Sequence, residues 1–75
     1  MTLSDLEPGQ SGNIKVLWAT GSLRYRLMDM GILPGKSVSI CRIAPLGDPI
    51  EVRVSHCRLS LRKAEAGKIE VEMQS

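Results

Sequence analysis

The chain has 75 residues, a formal net charge of +2 and 24 % charged side chains. A domain of this size buries only about 60 % of its unfolded surface. A full core and an enclosed substrate cavity do not both fit, so a binding or regulatory module is expected before an enzyme. With no Phe, one Trp and one Tyr, the core has to be aliphatic, built from Leu, Ile, Val and Met.

A single domain, residues 1–75, is expected. Thr2 to Gly12 reads as a lead-in in which Leu3 and Leu6 tuck onto the core and Pro8-Gly9 makes a turn. Ile14, Val16 and Trp18 alternate with Lys15, Leu17 and Ala19, which predicts a first strand with the former set facing inward. Gly21-Ser22 breaks that strand, with Ser22 as the expected N-cap of a short helix. Leu23, Leu27 and Met30 share one helical face, and Arg24, Arg26 and Asp29 lie off it. Gly31 can take the left-handed conformation that ends a helix. Pro34-Gly35 fits the central pair of a type II turn, since proline presets φ and glycine accepts a positive one.

Val38 and Ile40 open a second strand, and Cys41-Arg42-Ile43 breaks strict alternation, which predicts a bulge. Pro45 to Pro49 forms a turn closed by proline at both ends. Ile50, Val52 and Val54 alternate cleanly with Glu51, Arg53 and Ser55 as a third strand. Cys57, Leu59 and Leu61 then alternate with Arg58, Ser60 and Arg62 as a fourth. Lys63 to Gly67 allows one helical turn, and Ile69, Val71 and Met73 alternate with Glu70 and Glu72 as a last strand. Five short strands at close turn spacing predict a mainly β domain, a small SH3-like barrel with a short helix inserted after the first strand.

The chemistry-bearing residues are few. Cys41, Cys57 and His56 offer ligand types suited to zinc or another transition metal. Neighbouring residues on an extended chain point to opposite faces, however, so His56 and Cys57 do not converge without a kink. Small buried thiols and an exposed histidine are the plainer expectation. One histidine with no partner set makes no triad, and no glycine-rich loop opens a helix after a strand. Neither a catalytic group nor a cofactor is expected.

Between Arg24 and Lys63 eight basic residues face three acidic ones, and the two ends of the chain offset them. Arg42, Arg53, Arg58 and Arg62 could sit on strand surfaces, so a nucleic-acid-binding module is the alternative from another class. The scarcity of stacking aromatics and the low net charge count against it. Leu46 lies in a turn between two prolines, where an apolar side chain is hard to bury, and Leu33 precedes Pro34 in a similar position. Rigid loops with an apolar tip suit protein recognition, because little entropy is lost on docking. Met1 to Gln10 has neither the basic nor the apolar region of a secretion signal. No run approaches the ~18 apolar residues of a membrane span. A cytoplasmic protein with reduced thiols is expected.

Leu23 through Glu72 resembles the FeoA family, the small cytoplasmic accessory proteins of bacterial ferrous-iron uptake. The matching elements are Arg26-Leu-Met-Asp-Met-Gly31, Leu33-Pro-Gly35, Arg42-Ile-Ala-Pro-Leu-Gly-Asp-Pro49, Leu59-Ser-Leu-Arg-Lys63 and Ile69-Glu-Val-Glu72, in matching order and spacing. The resemblance implies an SH3-like barrel without enzymatic activity. It also implies a role with FeoB, the ferrous-iron permease that carries a cytoplasmic GTP-binding domain. The same barrel closes some metal-dependent repressors, but this chain is too short for their DNA-binding and metal-sensing parts. The expected contact surface is the Pro45–Pro49 turn, with Leu46 and Asp48, together with Leu33 and the helix face carrying Arg24 and Arg26. An arginine donated to phosphoryl transfer would come from Arg24 or Arg26. The membrane is reached only through the partner, nucleic acid is not expected, and self-association is left open.

Overall fold

The computed structural model describes residues 1–74. A 3-10 turn at Leu3–Asp5 leads into β1 (Ser11–Leu17), α1 (Gly21–Asp29), β2 (Ser37–Ile43), β3 (Ile50–Val54), β4 (Cys57–Leu61), α2 (Lys63–Ala66) and β5 (Ile69–Met73). All strand pairs are antiparallel and form one sheet in the order β4-β3-β2-β1-β5. The architecture is the expected mainly β one, with the helix after the first strand. The hydrogen-bonded ladder does not close into a full barrel. β4 and β5 remain its two edges, and the outer edge of β5 is taken by the lead-in. There Val71 N–H donates to the Met1 carbonyl at 2.9 Å, and Thr2 bridges Glu70.

The core is aliphatic, as the composition requires. Leu3 and Leu6 of the lead-in, Ile14 and Leu17 of β1, Leu27 of α1 and Ile32 beyond it are buried. They pack with Val38 and Ile40, Ile50, Val52 and Val54, Leu61, Ala66, and Ile69 and Val71. Each such aliphatic side chain stabilises the fold by about 1.5–3 kcal/mol when fully buried.

α1 ends by a Schellman arrangement. Gly31 has φ of +95°, its N–H donates to Met28 O at 3.0 Å, and Ile32 N–H donates to Leu27 O at 3.0 Å. Leu27 and Ile32, the two residues that such a cap brings together, are both fully buried. The next turn also follows the expectation. Lys36 N–H donates to Leu33 O at 3.1 Å across Pro34-Gly35, and Gly35 has φ of +91°. The bulge in β2 falls at Cys41, where the register with β3 passes from Ile40↔Val52 to Arg42↔Glu51.

Three expectations are corrected. Trp18 is not an inward residue but 60 % exposed, while Leu17 and Ala19 are buried. The register of β1 with β5 shifts between Ile14 and Val16, so Lys15 is an inserted residue. Because side chains alternate with period two, that insertion moves every later side chain to the other face. The helix N-cap is Thr20 and not Ser22, because Gly21, at φ of +61°, turns the chain so that the helix starts two residues earlier than a Ser22 cap implies. On β4 the alternation is right but the burial is not. Leu61 is buried, Leu59 is half-buried and Cys57 is exposed, because β4 is an edge strand with cover on one side only.

Two substitutions test the backbone reading. Gly31→Ala should cost about 1–2 kcal/mol, since an L side chain is strained at a positive φ. Ser55 has φ of +56° in the two-residue turn between β3 and β4. Ser55→Gly should stabilise by about 0.5–1 kcal/mol, the relieved strain less glycine's added entropy loss. Urea unfolding followed by far-ultraviolet circular dichroism measures both.

Candidate functional site

The loop between β2 and β3 is held by its own backbone. Gly47 N–H donates to Ala44 O at 2.7 Å, and Ala44 N–H donates to Pro49 O at 3.1 Å. Pro45 at the second position of that inner turn presets φ. The result is a braced loop whose tip carries Leu46 at 97 % exposure. An apolar group held on a braced loop loses little entropy on being covered.

The loop is anchored to α2 by Asp48, whose Oδ1 accepts the Lys63 N–H at 3.0 Å. Lys63 is the first residue of that helical turn, where a carboxylate meets unpaired backbone N–H groups. Glu65 extends the connection. Its Oε1 accepts the Arg62 N–H at 2.9 Å, and its Oε2 pairs with the Arg26 guanidinium of α1. Glu65 is only 15 % exposed, against 59 % for Arg26. Arg26, Glu65, the start of α2, Asp48 and the Leu46 loop therefore form one continuous surface at the end of the sheet where β2 finishes. Beside the loop, over β2, β3 and β4, lies a shallow depression of about 180 Å³ lined by Arg42, Ala44, Pro49, Glu51 and Ser60.

The sequence candidates divide accordingly. Leu46, Asp48 and Arg26 come together through α2. Arg24 is half-buried and not free on the helix face, because its Nη1 donates to Leu17 O at 2.8 Å and ties α1 to the end of β1. Leu33 is half-buried and precedes β2, whereas the Leu46 loop follows it. Seven strand residues span roughly 20 Å, which sets Leu33 and the Leu46 loop at opposite ends of β2. Cys41 lies half-buried in the β2 bulge, and His56 and exposed Cys57 sit at the β3–β4 turn. Cys57 is thus not the buried thiol expected, because no strand covers the outer side of β4. Both cysteines are free. Among the described residues, no group of three or more His, Cys, Asp and Glu side chains could hold a metal ion. Among the same residues no helix is long and apolar enough to cross a membrane.

Sequence reasoning missed Glu65 and the exposed aromatics. Glu65 stands three residues after Arg62, the spacing at which a carboxylate reaches back to the residue preceding a helix, and that signal was available. Tyr25, 71 % exposed, lies off the Leu23-Leu27-Met30 stripe, and the helical period alone marked it as outward-facing.

A family model for the FeoA domain matches residues 1–73. A Porphyromonas gingivalis protein, an Fe(2+) transport protein A/Fe(2+) transporter FeoB fusion, is 39 % identical over all 75 residues. The chain spans about 9 % of that fusion protein's length. Among solved structures, FeoA of Chlorobium tepidum is 39 % identical with a TM-score of 0.94, over all of this chain and 71 % of its own. FeoA of Stenotrophomonas maltophilia, solved with zinc and described as a prokaryotic SH3 domain protein, is 32 % identical with a TM-score of 0.78. That match covers 96 % of this chain and 89 % of its own. With the family pattern running the length of the mainly β, SH3-like fold, this chain belongs to the FeoA family of ferrous-iron transport proteins.

Proposed function

We propose that this chain is a non-enzymatic accessory protein of ferrous-iron uptake that binds and modulates a FeoB-type membrane permease at its cytoplasmic GTP-binding domain. The observation that carries the reading is the Porphyromonas gingivalis relative, in which the A protein and the FeoB transporter are one polypeptide. Fusion sets a high effective concentration of one part at the other, which is useful where the two act on each other. The chemistry of the chain supports the same reading. Its best-formed surface is a docking surface, with Leu46 on a braced loop and a charged frame of Asp48, Arg26 and Glu65 behind it.

In this reading the loop makes the apolar contact and α2 holds the loop at its angle. The arginines of α1 serve the fold first, since Arg24 is bonded to a backbone carbonyl and Arg26 to Glu65. Modulation then acts through assembly and not through a donated arginine.

Leu46→Arg should fold normally, because the side chain touches almost nothing, and should weaken binding to the permease's GTP-binding domain about ten- to a hundredfold. Titration calorimetry reads this directly; a folded variant with unaltered affinity shows that the docking surface is elsewhere. Glu65→Ala should destabilise the fold by about 1–2 kcal/mol, through the lost helix-start bond and ion pair. It should weaken binding less than Leu46→Arg does. GTP turnover by the permease domain should change on adding this protein, but without the roughly 10³–10⁵-fold acceleration that a donated arginine gives. Acceleration of that size, lost in Arg26→Ala, would replace the assembly mechanism with an arginine finger.

A further inference from the structure

The two edges of the sheet are treated differently. β5 is covered by Met1 and Thr2, whereas β4 faces solvent. Ser55-His56 is a two-residue turn, so its closing pair Val54↔Cys57 is a hydrogen-bonded one, and such pairs alternate along the ladder. Val52↔Leu59 and Ile50↔Leu61 follow in the same class. Arg58 and Ser60 therefore turn their N–H and C=O groups outward. Among the described residues, neither has a backbone partner beyond the sheet.

The two faces of this open edge differ in chemistry. On the outer face Arg53 and Arg58 stand directly opposite each other, an unfavourable placement of like charges. Glu51 offsets one of them, lying 3.5 Å from Arg58. Among the described residues Arg42 and Arg53 have no ion pair. Ser60, on the same outer face, borders the depression between Arg42 and Glu51. On the inner face the apolar row is unfinished, with Leu59 half-buried and Cys57 exposed.

We propose that the β4 edge is a strand-addition site for an extended segment of another protein that alternates acidic and apolar residues. The segment pairs with the free backbone groups of Arg58 and Ser60. Its acidic side chains fall beside Arg58, with Arg53 one strand further in adding to the positive face, and its apolar side chains complete the row begun by Leu59 and Cys57. Main-chain bonds give such a site affinity, and the alternate side chains give it selectivity. The site does not depend on the permease reading, and its test uses no permease.

The probe is a fluorescein-labelled, end-blocked peptide of about eight residues alternating valine and glutamate, with a valine–lysine peptide as its counterpart. Fluorescence anisotropy should show the valine–glutamate peptide binding the full chain and the lysine counterpart failing to bind. Arg58→Glu should weaken binding about tenfold or more. So should Ser60→Pro, which removes one outward N–H at a position where an edge strand tolerates proline. Arg58 lies on the surface, so Arg58→Glu keeps the test valid if Ser60→Pro does not fold. No peptide binding, or binding that neither variant changes, overturns the proposal. So does sedimentation showing that the edge is occupied by a second copy of the chain. Binding of a uridine oligomer of about 20 nucleotides, steeply weakened by salt and lost in Arg58→Glu, in place of peptide binding, would assign the face to nucleic acid.

Discussion

Leu27 and Ile32 meet under the end of α1, and much of this small fold depends on that contact. Both are fully buried, and the hydrogen bond from Ile32 back to Leu27 holds them together across Gly31. The contact fixes where the helix stops and sends the chain straight into the Leu33–Lys36 turn that starts β2. An aliphatic core with no phenylalanine has few large side chains to spread the load. Placement therefore matters more than volume, and the cap sets it by turning Ile32 into the core. The lead-in does the same work at the other side of the sheet, where Leu3 and Leu6 are as buried as any strand residue.

Much of this was legible because the signals were local. Gly31, Pro34-Gly35 and the proline-closed loop are short-range conformational instructions, and the structure follows them. The interrupted alternation at Cys41 announced its bulge, because the polar Arg42 broke the pattern. The bulge at Lys15 gave no such sign. Val16 to Ala19 is an unbroken apolar run, so either parity can face inward, and only the pairing with β5 shows that one residue is inserted. The exposure of β4 was hidden for a related reason. Periodicity says which side chains share a face, but not whether a neighbouring strand stands beside them, and strand order is a property of the whole chain.

The candidate site was legible in its apolar part. A leucine between prolines has few places to hide, and Leu46 is almost fully in water. The charged part was harder, because charges on a surface have many ways to pair. Arg24 and Arg26 are two residues apart and have unrelated tasks, one closing the end of β1 and the other reaching Glu65, 39 residues away. Asp48 looked like a partner contact and turns out to fasten its own loop to α2. Such an internal role is compatible with an external one, since it fixes the angle at which Leu46 stands.

The position of Trp18 has a practical consequence. It is the chain's single tryptophan, it is 60 % exposed, and its indole N–H donates to Glu70 at 3.2 Å beside β5. Its emission starts close to that of a solvated indole, so melting of the core moves it little. The intrinsic fluorescence of this protein is therefore a poor thermometer of unfolding and a better optical probe of whatever settles near the start of α1. Trp18 follows β1 and stands next to β5, while β4 lies at the far end of the strand order. With its backbone N–H also bound to Lys68 O at 2.8 Å, the indole reports on the end of the sheet where β1, β5 and the segment after α2 meet.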